Sequence, residues 1–281
     1  MTRAFGRVCA LILVCWPFAG LAQDKDASQQ DKGASQVGQS LLVSPTYVLL
    51  EGRTRSQSLL LVNRGTAPQT YRISIIDRRQ MPDGQLVTAD KPGEGEGFAS
   101  AILRYAPHQI VLPPDKPQTV RLLLQMPANM PDGEYRSHIL FQEVPTAVAT
   151  EDAATPVAPG VTVTLRAVFG VTIPIIVRKG NLAATASLSD LHVVGASGQQ
   201  SIALRLNRSG TRSIRGDLVA KLDGTQIGVL KNVNVFLSTP YRELTIPLST
   251  PGDLKGRRLS VTFAEDEDIS GAASASQTLA P

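Results

Sequence analysis

The segment Val161-Thr-Val-Thr-Leu-Arg-Ala-Val-Phe-Gly-Val-Thr-Ile-Pro-Ile-Ile-Val177 alternates along its whole length. In an extended chain, Val161, Val163, Leu165, Ala167, Phe169, Val171, Ile173, Ile175 and Val177 all fall on one face. A common strand has about 5–6 residues, so this one is unusually long. A single small sandwich does not cover so long an apolar face. Either the strand bridges two domains, or part of the face awaits a partner; the plainer alternative is that every side chain is core. Docking five such side chains on a partner is worth about 1.5–3 kcal/mol each. Association costs about 4–15 kcal/mol, so main-chain pairing must supply the surplus. Pro174 cannot donate a ladder hydrogen bond, which predicts an edge strand or the end of the paired part.

Outward from this segment the texture stays the same: short apolar runs cut by turn chemistry. Towards the N-terminus, strands are expected at 41–50 (interrupted by Pro45), 57–63, 70–78, 85–87, 101–105, 109–112, 119–126 and 135–144. Turns such as Pro82-Asp83-Gly84 and Pro131-Asp132-Gly133 separate them, with Pro presetting φ and Gly admitting φ > 0. Tyr135, just after Asp132-Gly133-Glu134, fits a tyrosine corner. Residues 145–160 form a Pro/Ala-rich linker or loop. Beyond Gly180 a second set is expected at 185–194, 201–207, 215–222, 226–230, 232–237, 243–248 and 258–263, with Asp223-Gly224 a strong hairpin signal. No window carries a helical stripe. The fold class is therefore all-β, with two immunoglobulin-like sandwich domains at 40–178 and 181–265. Residues 23–39 read as a flexible polar tail and 266–281 as a disordered one.

Residues 1–22 read as a secretory signal peptide: Arg3 and Arg7 precede a short apolar run, and Gly20 and Ala22 suit cleavage before Gln23. Both cysteines, Cys9 and Cys15, lie inside it, so the rest of the chain has no disulfide and no cysteine-ligated metal. A disulfide-free secreted β protein of this size suits the bacterial periplasm. The net charge of +4 includes the two leader arginines and is too small to predict nucleic-acid or membrane-surface binding. His108, His138 and His192 lack metal-ligand spacing, and no nucleophile elbow, P-loop or dinucleotide fingerprint occurs. No cofactor, no metal, no catalytic residue and no small-molecule substrate is expected. Glu265-Asp266-Glu267-Asp268 reads as a solvated acid run.

Several of these segments together resemble the PapD-like periplasmic chaperones of pilus and fimbria assembly. Leu42-Val43-Ser44-Pro45-Thr46 with Glu51-Gly52 resembles that family's opening strand, and Leu61-Val62-Asn63-Arg64-Gly65 with Tyr71 its second strand and turn. Leu103-Arg104-Tyr105-Ala106-Pro107, Leu112-Pro113-Pro114 and Gln118-Thr119-Val120-Arg121 look like the segments that follow. Asp132, Glu134, Val144 and Pro145 match part of the signature around strand F, and the alternating segment ending at Val177-Arg178 matches strand G. The resemblance implies a boomerang of two domains that lends strand G to an incomplete pilin-like subunit. The donor side chains it implies are Leu165, Ala167 and Phe169, with Val161 and Val163. It also implies an outer-membrane usher as a further partner. The family holds the subunit carboxylate with an Arg and a Lys; those positions here are Tyr47 and Pro174, which supply no cation. Arg178 and Lys179 are the candidate replacements. The competing reading is a structural or adhesive envelope protein with no transient client.

Overall fold

The computed structural model describes residues 40–145, 168–196, 199–249, 254, 256–266 and 272–279. Two separate apolar cores organise them, one built from side chains between Val43 and Val177, the other between Leu191 and Ala273. The leader at 1–22, the tail at 23–39 and most of the 145–160 loop lie outside the described residues.

The first core lies between two sheets. Its strands are β1 (Leu41–Ser44), β2 (Val48–Leu50), β3 (Ser56–Asn63), β4 (Gln69–Ile76), β5 (Arg78–Gln80), β6 (Leu86–Thr88), β7 (Leu103–Ala106), β8 (Gln109–Leu112), β9 (Gln118–Leu124), β10 (Gly133–Glu143) and β11 (Gly170–Lys179). One sheet runs β1-β3-β9-β7, the other β2-β11-β10-β4-β8, and β5-β6 stand apart as a hairpin. Pro45 interrupts the opening strand, and there the chain changes sheets: β1 pairs with β3, whereas β2 pairs in parallel with β11. Alternation then fills the interior, with Leu59, Leu61, Val120 and Leu122 facing Ile73, Ile139, Phe141, Ile173 and Ile175, all buried. Each such side chain contributes about 1.5–3 kcal/mol on leaving water. The Tyr135 hydroxyl donates to the Pro131 carbonyl at 3.0 Å, the tyrosine corner expected from the sequence.

The second core also lies between two sheets. Its strands are β12 (Ala184–Val194), β13 (Ser201–Gly210), β14 (Ile214–Leu222), β15 (Thr225–Val235), β16 (Tyr241–Pro247), β17 (Leu259–Glu265) and β18 (Ser274–Leu279). The sheets are β12-β13-β16 and β15-β14-β17-β18. Asp223 (φ 48°) and Gly224 (φ 88°) are both left-handed, as the two-residue turn between β14 and β15 requires.

Three expectations are corrected here. The strands expected at 226–230 and 232–237 are one, β15, bent where Asn232 takes φ 57° and donates its N–H to Asp217 at 2.9 Å. Asn tolerates that conformation, so the ladder resumes after a bulge. The tail at 266–281 is not wholly disordered either, because Ser274–Leu279 pair with β17 as β18. Its Ser/Ala composition conceals a strand held by main-chain pairing. Glu265, read as the start of a solvated run, is buried; it pairs with Arg212 and accepts the Ala273 N–H at 2.7 Å, which fixes the start of β18.

Close approach of β14 and β17 requires Gly216, where an added Cβ would lie 2.0 Å from the Ala264 carbonyl oxygen. Gly216→Ala is therefore expected to lower stability by about 1–3 kcal/mol, the usual cost of overpacking. A denaturant midpoint unchanged from the parent would contradict this reading of the β14–β17 contact.

Candidate functional site: an open strand edge beside a buried seam

Strand β11 is paired unequally on its two sides. Against β10 it is paired from Gly170 to Lys179, but β2 covers only Ile175–Val177 on the other side. Among the described residues, the stretch before Ile175 thus keeps one edge open. The Glu143 N–H donates to the Phe169 carbonyl at 2.9 Å, which sets the alternation of the antiparallel ladder. Residues 169, 171 and 173 bond to β10, so Gly170, Thr172 and Pro174 turn their main-chain groups to the open edge. Pro174, with no N–H, stands where that open edge meets β2. It is opposite His138 in the ladder, so it lies within the strand and not at its end.

The apolar face emerges from the core along the same strand. Ile173 is buried, Val171 half-buried and Phe169 39% exposed. Phe169, Leu41, Tyr71 and Phe141 line a small cavity where that face leaves the sandwich. Of the five donor side chains implied by the resemblance, Phe169 is described; Val161, Val163, Leu165 and Ala167 lie outside the described residues.

Tyr47 and Pro174 sit near one another in the sheet, Tyr47 just before β2 and Pro174 just before the β11 residues that β2 pairs with. Neither offers a cation. Tyr47 is directed into a seam between the domains, with the Arg215 guanidinium 4.7 Å from its ring centroid. Burial, and next the Glu134 carboxylate, push its hydroxyl pKa up. The candidate replacements are already engaged. Arg178 donates through Nε to Glu134 at 2.9 Å and through Nη2 to the Ser213 carbonyl at 3.1 Å. Glu134 also accepts the Ser213 N–H at 3.0 Å, so one carboxylate ties β10, β11 and the second domain together. Lys179 donates to the Met130 carbonyl.

The outer face of β10 was missed in the sequence. Glu134, Arg136 and His138 alternate against the core side, and all three are buried. The available signal was Ile176, an apolar residue on the outer face of β11 that is fully buried outside the first core. Phe236 of the second domain covers this face. The Arg136 guanidinium lies 4.3 Å from its ring centroid, and His138 meets it edge-on at 6.2 Å. Burial lowers the Arg136 pKa to about 10.

Both His138 ring nitrogens are buried without a hydrogen-bond partner among the described residues. Burial first, then the Arg136 and Arg78 charges, lower its pKa to about 3. The imidazole folds neutral, so its contribution is fully present above the unfolded value near 6.5 and is lost as pH falls from there towards about 3. Between pH 7 and 5 the parent should lose about 2 kcal/mol through this group, and His138→Leu should abolish that increment. Denaturant midpoints at the two pH values test this; equal losses in parent and variant would contradict it.

Among the described residues no cluster of three or more His, Cys, Asp or Glu side chains could hold a metal ion. Among the described residues no helix is long and apolar enough to cross a membrane.

No family profile and no curated protein matches the chain. Solved structures do. The YadV chaperone shares 16% identity at a TM-score of 0.44, covering 85% of this chain and 100% of its own. A chain of the CsuC–CsuE chaperone–tip adhesion subunit pre-assembly complex of Acinetobacter baumannii shares 13% at 0.44, covering 85% and 96%. The CupB2 chaperone of Pseudomonas aeruginosa shares 14% at 0.42, covering 85% and 100%. Each of these chaperone structures is far from this chain in sequence.

Proposed function

We propose that the protein is a periplasmic chaperone that stabilises incomplete, pilin-like subunits by lending them the strand at 161–174. The observation that carries this reading is the open edge of β11. Among the described residues its main chain is unpaired from Gly170 to Pro174 on one side, and the sequence carries the apolar alternation from Phe169 back to Val161. A client strand added there gains main-chain hydrogen bonds from Gly170 and Thr172. It gains burial against Val161, Val163, Leu165, Ala167 and Phe169. The sequence resemblance to the PapD-like family supports the same mechanism and adds an outer-membrane usher as a second partner and a boomerang arrangement of the domains.

The client is held here without the family's carboxylate clamp. Tyr47 and Pro174 carry no charge, and Arg178 is committed to Glu134 and Ser213. Affinity then rests on the strand ladder and its apolar side chains. The test is a pull-down of the tagged protein from periplasmic extract of its own source. Recovery of small β-rich subunits is expected. Fractionation of the protein with the cell surface, and recovery of no subunit from cells expressing them, would replace this reading with that of a structural envelope protein.

A further inference from the structure

The β5–β6 hairpin belongs to neither sheet of the first domain; Arg78 and Arg79 hold it to that domain, while Gln80 and the hairpin tip are spent on the second. Gln80 is only 3% exposed and is saturated by that domain. Its N–H donates to the Ser238 hydroxyl oxygen at 3.1 Å, and that hydroxyl donates to the Gln80 carbonyl at 3.1 Å. Its side-chain oxygen accepts the Phe236 N–H at 3.0 Å, and its side-chain amide reaches the Asn234 carbonyl at 3.4 Å. At the tip of the hairpin the Glu243 N–H donates to the Pro82 carbonyl at 2.8 Å. Gly84 (φ 89°) lies against Arg242 so closely that a Cβ would stand 2.5 Å from its Nη2.

We infer that this hairpin is a strap that fixes the orientation of the second domain against the first, with Gln80 as its central positioning residue. A chain linker and one local contact leave a rotation between two bodies. The two hydrogen bonds that join the Ser213 main chain to Arg178 and Glu134 are such a contact, close to the linker after Lys179. The strap adds a second attachment, through neutral hydrogen bonds, on the other side of β10 from β11. Phe236 joins the two: Gln80 holds its main chain, while Arg136 and His138 pack its ring. With the orientation preset, no ordering of one domain against the other is needed when a partner binds.

The test needs no client, so its outcome is independent of the proposed function. Arg121→Cys and Lys221→Cys place one nitroxide on each domain at exposed positions, in a chain with no cysteine beyond Cys15. The parent should give one narrow distance by pulsed electron resonance. Gln80→Ala, and independently Ser238→Ala on the opposite side of the contact, should lose that single distance and show a broad distribution while far-ultraviolet dichroism stays at the parent's. Parent-like distributions in both variants would overturn the inference.

Discussion

Replacing Phe169 by aspartate is expected to remove client capture while both domains stay folded. Phe169 is the last described member of the apolar face and is 39% exposed where that face leaves the core. Burying an aromatic side chain against a partner contributes up to about 3 kcal/mol. Its loss alone lowers affinity by about 100-fold, and a carboxylate forced into an apolar groove adds a desolvation cost. Leu165→Asp should act in the same way through a residue further along the donated strand. The check is recovery of subunits in the pull-down, with the parent beside both variants and thermal unfolding run on each. Folded variants that capture subunits as the parent does would remove Phe169 and Leu165 from the binding surface.

Glu134→Ala should cost about 3–5 kcal/mol of stability, the cost of leaving one member of a buried ion pair alone. The Arg178 Nε–H and the Ser213 N–H both lose their acceptor, and Arg178 keeps only the Ser213 carbonyl and the partly exposed Glu51 carboxylate at 3.7 Å. Replacing both partners, as Glu134→Leu with Arg178→Met, should recover most of that loss because no charge is then stranded. Urea unfolding of the parent, the single variant and the pair measures the difference. A single variant within about 1 kcal/mol of the parent would show that the seam is wet and the pair weak.

The all-β architecture was legible because the apolar period of two repeats in nearly every strand and the turns carry their own residues. Asp223-Gly224 and Tyr135 are examples whose local chemistry leaves little choice. The long strand was legible for the same reason, and its pairing was not: only the register shows that β2 begins at Val48, opposite Ile175. Pro174 predicted an edge strand or the end of the paired part; β11 is an edge strand up to Pro174 on its β2 side and stays paired with β10 on the other. Side chains on the outer face of a strand look solvated whether water or a second domain covers them. Glu134, Arg136 and His138 were hidden in that way, and so was Gln80 in a hairpin that composition gives no reason to bury. Ser274–Leu279 escaped notice because main-chain pairing holds a strand that has little apolar surface to declare it.

Strand donation through the open edge of β11 is tested most directly by amide hydrogen exchange on the protein alone and on its complex with the subunits it captures. The account predicts strong new protection at Gly170, at Thr172 and along residues 161–169 in the complex, while Ile175–Val177, already paired with β2, change little. Unaltered exchange at Gly170 and Thr172 with the client bound would place the contact elsewhere and contradict it.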